Sequence, residues 1–444
     1  MKHTSIRKEF LKYVSLNVFG MIGLSCYILA DTFFVSLGLG VNGLAALNLA
    51  IPIYSFIHGS GLMLGMGGAT RYSMLKSQGN AEQGNRTFTN TIILASGFAV
   101  FFLITGILFS GVITQLLGAD EAVFKMSKTY LKVILLFAPM FILNNVLLCF
   151  VRNDGAPQLS MAAMLGGSLS NIILDYIFIF PFGMGIFGAV LATGLAPVVS
   201  IIILSPYFKK RKNGFQLIKC TLNKPLVHRI LSCGVPSLIT EVSSGVVILI
   251  FNTIILRLQG NTGVAAYGVI ANLSLVVTAI YTGIAQGIQP LVSSSYGRGD
   301  IAKAKTVNHY ALITMFSVSI VLYLGIFFGA GQVVSVFNSE RNELLQTIAV
   351  SGMKIYFSAC LFTGFNIIMS IYFTATDYPH LAHIIAVLRG FLLIIPMAFL
   401  LSALGGMTGV WSAFLVTEIV TSVFGFAFYK RVPLKKACRQ QLNR

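Results

Sequence analysis

Residues 165–180 read LGGSLSNIILDYIFIF, a hydrophobic run that contains one carboxamide and one carboxylate. Asn171 and Asp175 stand four residues apart, so on a helix they share one face and can address the same small ligand. An ionised aspartate near the centre of a bilayer costs roughly 2.5–3.5 kcal/mol on insertion scales, and it usually marks an ion or substrate path. This stretch therefore predicts a membrane helix with a functional polar face.

The composition of the whole chain indicates a membrane protein that crosses the bilayer many times. Of the 444 residues, 56% are hydrophobic and 10% are charged, and the mean hydropathy is +0.84. These values exclude an ordinary soluble globular protein. Twelve apolar runs are long enough to span about 30 Å of hydrocarbon as helices, whereas barrel strands would need only about ten residues each.

The positions of the basic residues give the orientation of the chain. A net charge of +18 would also suit a nucleic-acid-binding protein, but the lysines and arginines lie between the apolar runs. If the N-terminus is inside, 24 of the 31 fall in cytoplasmic segments. This asymmetry predicts that both termini are cytoplasmic, in a multi-pass protein of the cell inner (plasma) membrane, and argues against nucleic acid as a partner.

The two halves of the chain resemble each other at an offset of about 220 residues. Because each half has an even number of apolar runs, the repeats are parallel and related by an axis along the membrane normal. We predict an all-α protein of twelve transmembrane helices in two pseudo-symmetric six-helix lobes around a central cavity. The N-lobe covers 1–208, a basic cytoplasmic linker covers 209–228, and the C-lobe with its basic tail covers 229–444. Matching pairs include Gly43 and Gly263, Gly79 and Gly299, and Pro157 and Pro379.

Two further polar residues of the first half lie in apolar runs. Asp31 stands about two-thirds of the way across the first run, where it either belongs to a site or borders the outer headgroups. Thr193 is the only hydroxyl of the segment GIFGAVLATGLAP (185–197), and a lone membrane threonine usually bonds its own i−4 carbonyl. The polar turn RNDGAP, residues 152–157, is expected to cap two helices and act as a hinge at their foot.

The second half carries different polar residues in its apolar runs. Glu241 is the best candidate there for a substrate or proton role. Arg389 and Glu418 are expected to pair with each other or with a neighbour. The six cysteines show no CxxC spacing, and the apolar runs contain no nucleophile, histidine pair or metal cluster, so a membrane enzyme is disfavoured and no cofactor is predicted.

Four motifs resemble those of the multidrug and toxic compound extrusion (MATE) family, in the family's order and over nearly the whole chain. They are LADTFFVSLGLG (29–40), VRNDGAP (151–157), SNIILDYIFIF (170–180) and GAVLATG (188–194). The chain looks most like the DinF-like branch. That resemblance implies a cation site for sodium or protons at Asp31, Asn171, Asp175 and Thr193. Family members commonly have a proline early in the first helix, where this chain has Ser15 and Leu16, so bending of that helix is not expected here.

The resemblance also implies a function. It is secondary active efflux of lipophilic, cationic organic compounds in exchange for protons or sodium, by rocking of the lobes between two accessible states. The expected partners are these small molecules and membrane lipid, and the expected state is a monomer. The alternative within the superfamily, a lipid-linked oligosaccharide flippase, would need a strongly cationic cavity for pyrophosphate, and basic residues are few in the apolar runs.

Overall fold

The computed structural model describes residues 2–338 and 341–431, and the predicted basic tail beyond Arg431 lies outside them. The described chain is helical and contains no strand. Its helices are α1 (Lys2–Ser77), α2 (Ala81–Leu116), α3 (Glu121–Leu136), α4 (Ala138–Asn153), α5 (Pro157–Ile179), α6 (Gly185–Lys209), α7 (Lys224–Gly297), α8 (Ile301–Phe337), α9 (Glu343–Tyr356), α10 (Cys360–Ala375), α11 (Pro379–Val387) and α12 (Ile394–Arg431).

Several of these helices contain two membrane crossings or share one. At 1.5 Å per residue, α1 and α7 would each be about 110 Å long, far more than the roughly 30 Å of hydrocarbon. Each breaks at one glycine with non-helical torsions, Gly40 (φ 63°, ψ −156°) and Gly260 (φ 61°, ψ −155°). The segment formed by α11 and α12 breaks likewise at Gly406. Helices α3 and α4 meet at a bend of 46° and together make one crossing. Helices α9 and α10 also make one crossing together. The prediction of twelve membrane helices is confirmed.

The internal duplication appears in the backbone itself. Gly40 and Gly260 lie 220 residues apart and have nearly identical torsions, and Gly79 and Gly299 form left-handed turns with φ of 80° and 76°. In this region of φ and ψ only glycine is readily accommodated. The buried hydrophobic residues accordingly form two clusters, one mainly in each half of the chain. The two lobes predicted from the sequence are therefore present.

The lobes touch backbone to backbone near the face where both described ends of the chain lie, which we call the terminal face. A Cβ added to Gly67 would lie 1.9 Å from the carbonyl oxygen of Ile230, and one added to Gly234 would lie 1.8 Å from that of Met63. Glycine is required at both positions, because any side chain would push α1 and α7 apart. Gly287, which matches Gly67 in the second half, packs on α1 in the same way.

The segment between the lobes packs firmly on the first lobe. The Asp154 carboxylate accepts hydrogen bonds from the backbone N–H of Gly214 (2.7 Å) and the Tyr207 hydroxyl (2.6 Å), and it pairs with Lys76. Phe215 is fully buried among aromatic rings of this lobe. The RNDGAP turn thus does more than cap two helices, since its aspartate anchors the linker.

Candidate functional site

Four polar side chains predicted from the sequence converge inside the first lobe. Helix α5 supplies Asn171 and Asp175 on one face, α6 supplies Thr193, and the first half of α1 supplies Asp31. Aromatic contacts hold α1 against α5 at this level, since the Phe34 ring lies 6.1 Å from that of Tyr176. All four site residues are buried.

Asn171 connects the members of this group. Oriented so that both ends of its amide have partners, Asn171 donates to Asp175 Oδ2 (3.0 Å) and accepts from the backbone N–H of Thr193 (3.2 Å). The Thr193 hydroxyl donates to the Ala189 carbonyl at 3.1 Å, the i−4 bond expected of a lone membrane threonine. Its oxygen keeps a lone pair that could still bind a cation.

Among the described residues, the two carboxylates of the group have no basic partner. Asp31 is 7% exposed and Asp175 is fully buried, so both side chains point into the protein. In the described part of the chain neither belongs to an ion pair, and the Oδ1 atom of each has no hydrogen-bond partner. Each carboxylate is within electrostatic range of the other. Two ionised carboxylates repel at close range and are costly to bury, so such a pair favours uptake of a proton or a metal cation.

A cavity of about 320 Å³ lies between the lobes and is lined by residues of both. Its walls combine aromatic rings with a few polar groups, which is typical of sites for small organic molecules. Aromatic residues on the walls include Tyr27, Tyr54, Phe141, Tyr267, Tyr356 and Phe414.

Glu241 lies on the cavity wall and contacts the opposite lobe. Its Oε2 is 3.4 Å from Nδ1 of His58, and 34% of its side chain is exposed. His58 stacks on Tyr54 with ring centroids 5.8 Å apart, and the Tyr54 hydroxyl shares a hydrogen bond of 2.8 Å with that of Tyr27. Tyr27 stands one helical turn before Asp31. Polar side chains therefore run from the cavity towards the buried carboxylates.

This connection is not predicted from the sequence. In the sequence His58 has no acidic residue at a spacing that would indicate its partner, because that partner, Glu241, lies in the other half of the chain. The available signal is the i, i+4 spacing, which puts Tyr27 on the face of Asp31 and Tyr54 on the face of His58.

Arg389 and Glu418 form an ion pair in the second lobe, as expected, in which Glu418 is buried and the Arg389 side chain is 13% exposed. Arg389 donates to Glu418 Oε1 through Nη2 (2.8 Å) and Nε (3.2 Å), while Asn366 donates to Oε2 at 2.6 Å. Both carboxylate oxygens thus have partners. Arg389 lies in a π-helical turn, Leu388–Leu392, which interrupts the helix matching α5. The places of Asn171 and Asp175 are taken in this lobe by Leu393 and Met397.

Comparisons with known proteins agree with this architecture. The family model described as MatE matches residues 17–177 and 236–400. Multidrug export protein MepA of Staphylococcus saprophyticus is 27% identical over 424 residues, which cover 95% of this chain and 92% of that protein. MepA of Staphylococcus aureus strain MRSA252 is 28% identical over 396 residues, 88% of this chain and 86% of that one. These relatives are named as exporters and not as enzymes.

Solved structures share the fold. A multidrug resistance MATE family transporter of the MOP superfamily, in an outward-facing conformation, superposes with a TM-score of 0.90 at 24% identity, covering 96% of this chain and 95% of that one. A MOP superfamily transporter from Pyrococcus furiosus Vc1, described as having a binding pocket of reverse polarity, gives 0.89 at 24% identity with the same coverage.

Proposed function

Since this chain belongs to the MatE family, we propose that it is a secondary active multidrug efflux transporter that exports lipophilic organic cations in exchange for protons or sodium. The observation that carries the proposal is the pair of buried carboxylates, Asp31 and Asp175, without a basic partner among the described residues. The relatives' names, multidrug export proteins, support the substrate class. We assign the chain to the DinF-like branch because its first lobe holds this set.

The coupling ion binds at Asp31, Asn171, Asp175 and Thr193. A proton on one carboxylate removes the repulsion between the two, and a sodium ion would use their unpartnered oxygens and the Thr193 hydroxyl. Entry of the ion from outside changes the packing of α1 against α5, and the first lobe then favours release of substrate outward. One charge that crosses 100 mV supplies about 2.3 kcal/mol, but exchange of a monovalent cationic substrate for one proton or sodium ion moves no net charge, so export of such a substrate then draws on the concentration gradient of the coupling ion.

The cavity holds the substrate. A lipophilic cation finds aromatic faces on both walls, and each cation–π contact contributes roughly 0.5–2 kcal/mol. Glu241 either pairs with the cationic group or exchanges a proton with His58, and the polar side chains that follow lead towards Asp31. Substrate and coupling ion thereby influence each other without sharing a site.

The arrangement in the membrane follows from the charges. The terminal face is cytoplasmic in an inner (plasma) membrane, because most lysines and arginines lie on that side. The transporter works as a monomer, with the N-lobe (1–208) and the C-lobe (229–444) rocking about their shared interface. The part of the predicted linker (209–228) that precedes α7 moves with the N-lobe, to which Asp154 binds it. A flippase for lipid pyrophosphate fits less well, because it would need a strongly cationic cavity, whereas the described lining contains no lysine and two arginines, Arg152 and Arg389, of which Arg389 is paired with Glu418.

The test is efflux of ethidium, a fluorescent lipophilic cation, from proteoliposomes under a proton gradient and, separately, a sodium gradient. We expect one gradient to drive efflux in the wild type. Asp175→Asn, which keeps the shape of the side chain, should lose that response. Glu82→Gln, an exposed carboxylate on α2, is the matched control and should pump normally.

Two results would contradict the proposal. One is efflux by Asp175→Asn that still follows the gradient as in the wild type. The other is absence of efflux under either gradient from protein that elutes as a single folded species. If only Glu241→Gln abolishes the response, the coupling site lies in the second lobe instead.

A further inference from the structure

Arg152 occupies the floor of the central cavity, close to the terminal face. It lies in the last turn of α4, is 1% exposed, and lines the cavity. Its Nη1 donates to Asn17 of the same lobe (3.0 Å) and to Gln286 of the other lobe (2.7 Å). Its Nη2 contacts the sulfur atoms of Met66 and Cys149. The guanidinium therefore lies at the junction of both lobes.

Neutral groups make all of these contacts. In the described residues no carboxylate pairs with Arg152, and its Nε has no hydrogen-bond partner. An arginine stays charged in proteins, and a buried charge is costly unless an opposite charge compensates it. Arg389, the other arginine on the cavity wall, has Glu418 for that purpose. The floor of the cavity thus holds a fixed positive charge with donors left for an anion.

Contact with the second lobe determines how many N–H groups of Arg152 are free to bind an anion. Gln286 binds Nη1 while the lobes touch, and separation of the lobes at the terminal face would free an N–H group of that nitrogen. The unpartnered Nε–H points to the same side of the guanidinium as Nη2, whose contacts are two weakly accepting sulfur atoms. These two groups suit a carboxylate, which can bind them through two hydrogen bonds. On the proposed orientation, this separation is the state in which a compound enters from the cytoplasm.

We propose that Arg152 is an anion subsite that binds the carboxylate of amphoteric substrates, while Glu241 and His58 face their cationic group. This inference rests on the proposed efflux function and adds a second recognition element, a carboxylate, for one group of its substrates. A free anion such as chloride offers the same chemistry and would fill the subsite when the substrate has no carboxylate.

The test compares rhodamine B, which has a free carboxylate, with its ethyl ester, which has the same cationic ring system. Efflux from proteoliposomes and fluorescence anisotropy of the dyes on purified protein are measured in parallel. We expect the wild type to favour the acid, and Arg152→Gln to lower the acid-to-ester ratio about tenfold, the discrimination that one charged hydrogen bond provides. Arg152→Lys should keep most of the preference.

Two glutamine variants separate anion binding from a structural role. Gln286→Glu gives Arg152 an internal carboxylate at the atom now 2.7 Å away, so it should abolish the preference while the arginine stays in place. Gln289→Glu, one turn away, is the matched control, because Gln289 bonds Asn153, Thr70 and the Met66 carbonyl and not Arg152. Its acid-to-ester ratio should equal that of the wild type.

The outcomes are distinct. Equal affinity of the wild type for acid and ester, or an unchanged ratio in Gln286→Glu, overturns the subsite. Preferential binding of the acid without efflux of either dye supports the subsite and rejects the efflux function. Exchange of chloride for isethionate identifies the source of the anion. If the exchange changes binding of the ester alone, chloride fills the subsite. If it changes binding of neither dye, the anion is the substrate's own carboxylate.

Discussion

Removal of Arg389 should destabilise the protein far more than removal of the whole Arg389–Glu418 pair. Glu418 is 1% exposed, and its Oε1 has Arg389 as its partner while Oε2 has Asn366. Arg389→Met would leave a buried carboxylate with one neutral donor, and breaking a buried pair in this way costs about 3–5 kcal/mol. In Arg389→Met/Glu418→Met no charge is stranded, so we expect stability within about 1 kcal/mol of the wild type.

The assay is reversible unfolding of purified protein in mixed micelles with increasing SDS, followed by circular dichroism. Arg86→Met is the control, because it breaks a pair with Glu82 whose side chains are 45% and 70% exposed, and such pairs contribute less than about 1 kcal/mol. The reasoning would be refuted if the double variant were as unstable as Arg389→Met. It would also be refuted if Arg389→Met behaved like Arg86→Met.

Three further predictions concern the linker and the glycines. Asp154→Asn should lower the free energy of unfolding by at least about 2 kcal/mol, because a buried, charged acceptor of several hydrogen bonds becomes a neutral one. Limited proteolysis should then cut the linker, whereas Glu82→Gln should leave the cleavage unchanged. Gly234→Ala should lower the unfolding midpoint, because its Cβ would lie 1.8 Å from a carbonyl oxygen of the other lobe. Gly97→Ala is the control and should raise the midpoint slightly, because Gly97 lies within a helix with open space around it. Gly40→Ala should cost about 1–3 kcal/mol in the same assay, because its torsions are open to glycine alone.

The number of helices and the duplication could be predicted because they depend on run length and on repeated residues. The continuity of α1 and α7 could not, since a single glycine such as Gly40 gives the chain its turn while both sides stay helical. The docking of the linker on the first lobe could not be predicted from the sequence either. Phe215 and Gly214 lie in a basic, polar segment, and their partners come from distant helices, so no local pattern reports the contact.

The candidate site was predictable to the extent that its members share one helix. The i, i+4 spacing in an apolar run predicts Asn171 and Asp175 as site residues. Asp31 and Thr193 could be assigned to the same site only through the resemblance to a family. The role of these four residues stays a prediction. The contact of His58 with Glu241 joins two lobes, and spacing within one helix carries no information on such a pair.

The two lobes share a backbone plan but differ in how they treat buried charge, and this difference bears on coupling. In the second lobe Arg389 neutralises Glu418, so a cation gains little by binding there. In the first lobe Asp31 and Asp175 have no such partner among the described residues, so protonation or cation binding changes the local charge directly. An ion can therefore alter the packing of one lobe and leave the other nearly unchanged. Since the lobes meet through tight glycine contacts at the terminal face, a change in the shape of one lobe alone must alter the fit between them, which is the asymmetry that the proposed alternating access needs.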